Sequence, residues 1–281
     1  FLAIDFDGDT WQADTAAFLG SCQRLEIPTA LERSRSGNGG HVWLFFAEAI
    51  PASLARKLGS HLLTETMEQR PDIGLRSYDR LFPNQDTLPK GGLGNLIALP
   101  LQQRAREQGN SVFLDEQFRP QEDQWAFLSS IQRVSRAHAE ALVREAEGQG
   151  RIVGVRFAMV DAEDDVPWTA PPSRRHREAP IAGTLPASLE LVLADQLYIA
   201  KEGLTPALRN RLIRLAAFQN PEFYRAQAMR LPTYDKPRII ACAEDHAQHI
   251  GLPRGCLEEV QELLKRVGIR STLRDERFNG R

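Results

Sequence analysis

Along residues 2–7 the apolar side chains of Leu2, Ile4 and Phe6 alternate with Ala3, Asp5 and Asp7. A period of two predicts a strand with both acids on one face, closed by Gly8. Residues 10–24 change to helical spacing, with Trp11, Ala17, Phe18 and Cys22 on one stripe and Pro28 soon after. Residues 29–35 and 41–46 read as two strands, joined by the glycine-rich turn Ser36-Gly37-Asn38-Gly39-Gly40. A helix from Pro51 to about residue 69 follows, then strands at 73–78 and 93–99 around a loop at 82–92, a strand at 111–114, and helices near 123–134 and 136–147. Residues 1–150 are therefore expected to form one α+β domain.

From residue 160 to 183 the composition turns to Asp, Glu, Pro and Arg, which predicts a linker, taken as 151–185. A smaller α/β module is expected over 186–281. Residues 189–200 read as one strand-like run, and Thr205 opens a helix to about residue 218. Asn220-Pro221 caps another to about 229, residues 238–243 form a strand, 253–267 an amphipathic helix ended by Gly268, and 269–273 a last strand.

The chain has 281 residues, 42% of them hydrophobic, and a net charge of -2. That is enough to bury a core, and no apolar run approaches the roughly 20 residues that cross a bilayer. The reading is a protein without membrane association. Cys22, Cys242 and Cys256 lie far apart, without the paired spacing of zinc sites or small disulfide frameworks, so they are expected to be buried thiols in a cytoplasmic setting. Phe1 opens inside an apolar strand with no initiator Met, and the chain stops on a polar turn, so further residues are expected on both sides. Near-neutral charge argues weakly against a dedicated nucleic-acid binder, yet residues 204–238 are locally basic, with Arg209, Arg211, Arg214, Arg225 and Arg230 as candidate backbone contacts. Arg174, Arg175 and Arg177 form a second cluster. Either cluster is equally well a solvated face. Phe218, Phe223 and Tyr224 have the spacing of a helical core rather than of a base-stacking platform.

Chemistry enters at Ile4-Asp5-Phe6-Asp7-Gly8-Asp9. Two carboxylates side by side at a strand end repel each other unless a cation lies between them, so Asp5 and Asp7 are candidate metal ligands. An Asp-x-Asp-Gly also opens haloacid-dehalogenase phosphohydrolases, where the first Asp is a nucleophile, although that family usually has Thr where Asp9 stands. The run Arg35-Ser36-Gly37-Asn38-Gly39-Gly40-His41 separates the readings. Amides of a glycine-rich turn, Gly39 among its glycines, approach phosphate oxygens closely, while Ser36, His41 and Arg35 add donors and charge. A third acid is taken as Asp79, with Asp86 as competitor. Lys90 and Asn95 border a second glycine-rich stretch that either reaches the nucleotide or forms a plain hairpin.

These elements, in this order, resemble the archaeo-eukaryotic primase superfamily. The strings Tyr78-Asp79-Arg80-Leu81-Phe82-Pro83-Asn84-Gln85-Asp86 and Gly94-Asn95-Leu96-Ile97-Ala98-Leu99-Pro100 are similar to the primase domain of primase-helicase proteins from TOTE conflict systems. Residues 214–224, 237–240 and 252–256 resemble the module that those proteins place before a superfamily 2 helicase. The resemblance implies a primase-polymerase core with a mixed sheet and flanking helices, and DNA-templated nucleotidyl transfer from nucleoside triphosphates onto a single-stranded or primed template. It further implies two Mg²⁺ or Mn²⁺ ions on Asp5, Asp7 and Asp79, triphosphate contacts from Ser36 and His41, and a helicase domain as neighbour. A non-catalytic nucleic-acid-binding module is the remaining alternative.

Overall fold

The computed structural model describes residues 1–92, 94–152, 180–181 and 183–278. The expected linker falls largely outside them, as do Trp168, the Arg174–Arg177 cluster and Leu93.

The first strand, β1 (Leu2–Asp7), is central because both of its faces have something to meet. Leu2, Ile4 and Phe6 point into one core with Phe18 and Cys22 of α1 (Trp11–Arg24), Leu58, Leu62 and Leu63 of α2 (Ala52–Met67), and Ala139 and Val143 of α5 (Arg136–Gly148). Burying a side chain of that size is worth roughly 1.5–3 kcal/mol, so this helical layer fixes which face of the sheet is the inner one. The strand pairs antiparallel with β3 (Gly39–Leu44) and β4 (Leu81–Phe82). Next come β2 (Ala30–Arg33) and β5 (Phe113–Leu114), giving the order β4-β1-β3-β2-β5. On the opposite face Ala3, Ala30, Trp43 and Phe113 form a smaller cluster covered by Phe127 and Leu128 of α4 (Gln124–Ser130). A four-residue helix, α3 (Gln103–Arg106), leads into β5. The α+β class read from the sequence is the one observed.

Two expected strands are absent. Residues 73–78 instead belong to a pair of 3-10 helices, Pro71–Ile73 and Leu75–Asp79, separated by Gly74 at φ +70°. Leu75 and Tyr78 are both buried, and their spacing of three is the period of that helix rather than of a strand. Among the described residues of 93–99 no strand forms, and Leu96 and Leu99 are exposed.

The second part is built on β6 (Ser188–Leu193) and β7 (Leu197–Ala200), a hairpin where one run was expected. With β10 (Glu244–Asp245), β11 (His249–Leu252) and β12 (Arg270–Asp275) they form a sheet of order β10-β11-β7-β6-β12, in which β12 runs parallel to β6. Leu208 and Leu212 of α6 (Pro206–Leu215) and Val260, Leu263 and Leu264 of α8 (Leu257–Arg266) fill its core. The Thr205 hydroxyl caps α6 by accepting the Leu208 amide, and Asn220 caps α7 (Pro221–Ala228) through the Glu222 amide. Such caps are worth about 1 kcal/mol each. The α6 helix is shorter than expected, since Ala217–Gln219 leaves it as β8 to pair with β9 (Ile239–Ala241).

This β8–β9 ribbon ties the two parts together: Ala217 and Ile239 pack into the first core, not the second. Tyr78 Oη bonds Thr64 Oγ1 at 2.7 Å and accepts from Arg214 Nη2 at 2.9 Å. Arg238 is fully buried, stacks 4.3 Å above the Phe223 ring, and donates through Nη2 to the Asn84 carbonyl. Phe223 is thus a packing aromatic, as its spacing suggests. Cys22 and Cys256 are buried, whereas Cys242 is exposed, contrary to expectation.

Candidate active site

Alternation along β1 sends Asp5 and Asp7 to the face away from the α1/α2 layer, and the β1–β3 pairing sets His41 opposite Asp5 and Gly39 opposite Asp7. His41 Nε2 lies 3.5 Å from Asp5 Oδ1. That oxygen is buried and accepts no hydrogen bond. Burial and the adjacent Asp7 raise the Asp5 pKa above the usual carboxylate range, against the pull of His41 and Arg80. Arg80 Nη1 reaches Asp7 Oδ2 at 3.2 Å, both side chains being substantially exposed.

Behind His41 stands Glu32, a residue that strand periodicity alone presents as an ordinary position of β2. Glu32 Oε2 accepts from His41 Nδ1 at 3.0 Å and from Trp43 Nε1 at 2.7 Å, and Oε1 accepts from Ser111 Oγ at 3.1 Å. Burial disfavours the imidazolium of His41, but the Glu32 hydrogen bond and charge, helped by Asp5 and Asp7, outweigh it and hold the pKa above its ordinary value. The signal in the sequence was present but needed register: Glu32, His41 and Asp5 face one another only once β2, β3 and β1 are adjacent.

The turn between β2 and β3 closes through Ser34 N to Gly39 O at 2.9 Å and Gly37 N to Ser34 O at 3.0 Å. Ser36 Oγ bonds Ser34 Oγ at 3.0 Å and accepts the Asn38 amide at 3.3 Å, and both Arg35 and Ser36 are exposed. A Cβ on Gly39 would lie 2.5 Å from Asp7 Oδ1 and 2.7 Å from the Phe6 carbonyl, so only glycine lets the turn press against the acid. Gly37 has φ +83°, a conformation that side chains rarely adopt.

Asp79 is not brought to Asp5 and Asp7. The Asp5 amide donates to the Arg80 carbonyl and Ile4 pairs with Leu81, with Arg80 Nη1 3.2 Å from Asp7 Oδ2, whereas Asp79 is the last residue of the 3-10 helix before them. Asp79 Oδ1 accepts the Arg238 amide at 2.7 Å, and burial raises its pKa despite that bond. Asp86 is committed as well, to Arg56 at 2.6 Å and to Gln227. The third-acid expectation set Asp79 at the end of a strand; the structure ends a 3-10 helix there, with Asp79 held by the Arg238 amide.

Asn95 spans the turn after β4, donating to the Leu81 carbonyl at 2.9 Å and accepting the Asn84 amide at 3.2 Å, so its amide is a brace. Lys90 is exposed, and its amide donates to the Arg230 carbonyl at 2.9 Å. Three of the five candidate nucleic-acid arginines face the first part of the molecule. Arg209 bridges Asp72 and Asp245, Arg211 approaches Glu68 at 3.8 Å, and Arg214 holds Tyr78. Arg225 and Arg230 are exposed on and just after α7. Local charge excess misled here because the acids that absorb it, Glu68 and Asp72, lie some 140 residues upstream.

Among the described residues no group of three or more His, Cys, Asp and Glu side chains could hold a metal ion by itself. Asp5 and Asp7 nevertheless suit a hard divalent cation. The buried, unpartnered Asp5 Oδ1 lacks a positive neighbour closer than His41, and Mg²⁺ commonly takes only one or two carboxylates, completing its shell with water and substrate phosphates. No helix among the described residues is long and apolar enough to cross a membrane.

A comparison with curated proteins finds no match. A family model described as TOTE conflict system, Archaeo-Eukaryotic Primase domain matches residues 1–142, which include Asp5, Asp7, Glu32, Ser36, His41 and Arg80 and leave out the second sheet. With half of its length so matched, the chain belongs to the archaeo-eukaryotic primase domain family of TOTE conflict systems.

Proposed function

We propose that this chain is a primase-polymerase, adding nucleotides from nucleoside triphosphates to a chain paired with a nucleic-acid template. The observation that carries the reading is the pair Asp5 and Asp7 set beside His41 on one sheet face, with a buried carboxylate oxygen left unbonded. The family membership supports nucleotidyl-transfer chemistry in general and the use of divalent metal.

Asp5 and Asp7 would hold Mg²⁺ or Mn²⁺, which when bound supplies charge neutralisation of the triphosphate and activation of the attacking 3′-hydroxyl. Ser36, exposed at the mouth of the hairpin, binds a phosphate oxygen. His41 Nε2 donates to the same triphosphate, held at a fixed height above Asp5 by its strand. Arg80, half-exposed and paired with Asp7 among the described residues, turns between that acid and an incoming phosphate. Arg225, Arg230 and Lys90 are assigned to the template backbone, because they are exposed and cationic and because Lys90 and Arg230 adjoin through their main chains. A helicase domain is the proposed neighbour of the second part.

The test is primer extension with Mn²⁺ or Mg²⁺ and a nucleoside triphosphate. Asp7→Ala should abolish extension while its circular dichroism and melting stay those of a folded protein. Undiminished extension in that variant rules the reading out.

A further inference from the structure

The carboxylate of Glu32 is only 1% exposed, yet among the described residues it faces three donors, none of them a lysine or arginine. A buried carboxylate is costly unless its bonds are made, so a position of this kind needs a reason. Trp43 Nε1 can only donate, and an ionised carboxylate can only accept. Both lone-pair directions of Oε2 are therefore taken by Trp43 and His41, while Ser111 fixes Oε1. The carboxylate cannot rotate without breaking one of these bonds.

We propose that Glu32 is a positioning residue for His41: by accepting from Nδ1–H it holds the ring in one orientation, so that Nε2 is the edge turned to the triphosphate above Asp5, where it donates when both ring nitrogens carry protons. The proposal rests on the phosphate-binding role given to His41 above. Its geometry is a line of facing residues across three adjacent strands, Glu32 to His41 to Asp5, with contacts of 3.0 and 3.5 Å. An imidazole aimed by a carboxylate at its far nitrogen is the arrangement that fixes tautomer in many functional sites. Without Glu32 the ring loses the acceptor that holds Nδ1 on the side away from Asp5.

Gln at position 32 preserves the arrangement. Its carbonyl oxygen can serve His41 and Trp43, and its amide can donate to Ser111 Oγ, which accepts as readily as it donates. Met fills the same volume with no acceptor for them.

The experiment uses the 281-residue chain with ¹⁵N-histidine labelling and the six histidine signals sorted by a His41→Ala variant. In the wild type His41 Nδ1 should carry a proton whether or not Nε2 does. A bare Nδ1 overturns the proposal and requires no variant. Glu32→Met should lower kcat/KM for the nucleoside triphosphate by tenfold or more, and Glu32→Gln should recover most of it. In a His41→Ala background Glu32→Met should cost nothing further. An equal loss in that background means that Glu32 only supports the fold, and wild-type activity in Glu32→Met refutes a positioning role. If His41→Ala alone leaves kcat/KM unchanged, the function given to His41 fails, while the tautomer measurement still reports on Glu32 independently.

Discussion

Replacing Gly39 by alanine adds one methyl group where the structure leaves no room. The new carbon would stand 2.7 Å from the Phe6 carbonyl oxygen and 2.5 Å from Asp7 Oδ1, whereas ordinary contact begins near 3.4 Å. The shortfall against the backbone is about 0.7 Å. A side chain could swing aside, but the Phe6 carbonyl belongs to the central strand, flanked by β3 and β4. The ends of β1 and β3 must therefore part, at the cost of about 1–3 kcal/mol typical of overpacking. For a chain of this size that lowers Tm by about 2–12 °C. The displaced atom is also a proposed metal ligand, so Mn²⁺ affinity and primer extension should fall together, beyond what the lost stability explains. Thermal melting, Mn²⁺ titration and extension at a temperature where both proteins are folded read these separately. Gly148→Ala, at the exposed end of α5 with nothing within 4 Å of the added carbon, is the control and should hold or gain about 0.5–1 kcal/mol. Wild-type Tm, Mn²⁺ binding and extension in Gly39→Ala would show that β1 and β3 do not meet as described.

Three more outcomes follow from the same geometry. Asp79→Asn keeps an acceptor for the Arg238 amide and should retain extension, whereas Asp7→Asn should not; loss of activity in a stably folded Asp79→Asn variant would put residue 79 back among the metal ligands. Burial, reinforced by the Arg151 charge, lowers the His61 pKa from 6.5 to about 4, so the folded state resists protonation there and loses stability as pH falls from 6.5 towards 4, by about 3 kcal/mol in total. His61→Gln should flatten the pH dependence of urea unfolding over that window, and an unchanged slope refutes the assignment. Arg225→Ala and Arg230→Ala should each weaken single-stranded DNA binding and reduce the salt slope of log K by about 0.7, with Tm unchanged; unaltered binding would remove α7 from the template path.

Much of the first half was legible without coordinates, for a simple reason. A strand with period two and a partner across a glycine turn carries its own face assignment, so the joint placement of Asp5, Asp7 and His41 follows from alternation in β1 and β3. The helices with capped starts were likewise local matters: Thr205 and Asn220 make their capping bonds within three residues. What failed was whatever depended on distant partners. Residues 73–78 have apolar positions that suit either a strand or a 3-10 turn, and Gly74 together with the packing of Leu75 and Tyr78 decides for the turn. With that choice Asp79 ends the helix against the Arg238 amide, and Arg80 stands beside Asp7. The basic stretch reads as a nucleic-acid surface until Arg209, Arg211 and Arg214 find Asp72, Glu68 and Tyr78, and Asn95 reads as a ligand group until it closes a turn. Glu32 was hidden for the same reason: a carboxylate acquires its meaning from which strands flank it. Sequence by itself determined the local periodicities and turns, because those are set by neighbouring residues; only the tertiary structure decided which charges are spent inside the molecule, because Coulomb partners and sheet neighbours are chosen across the whole chain.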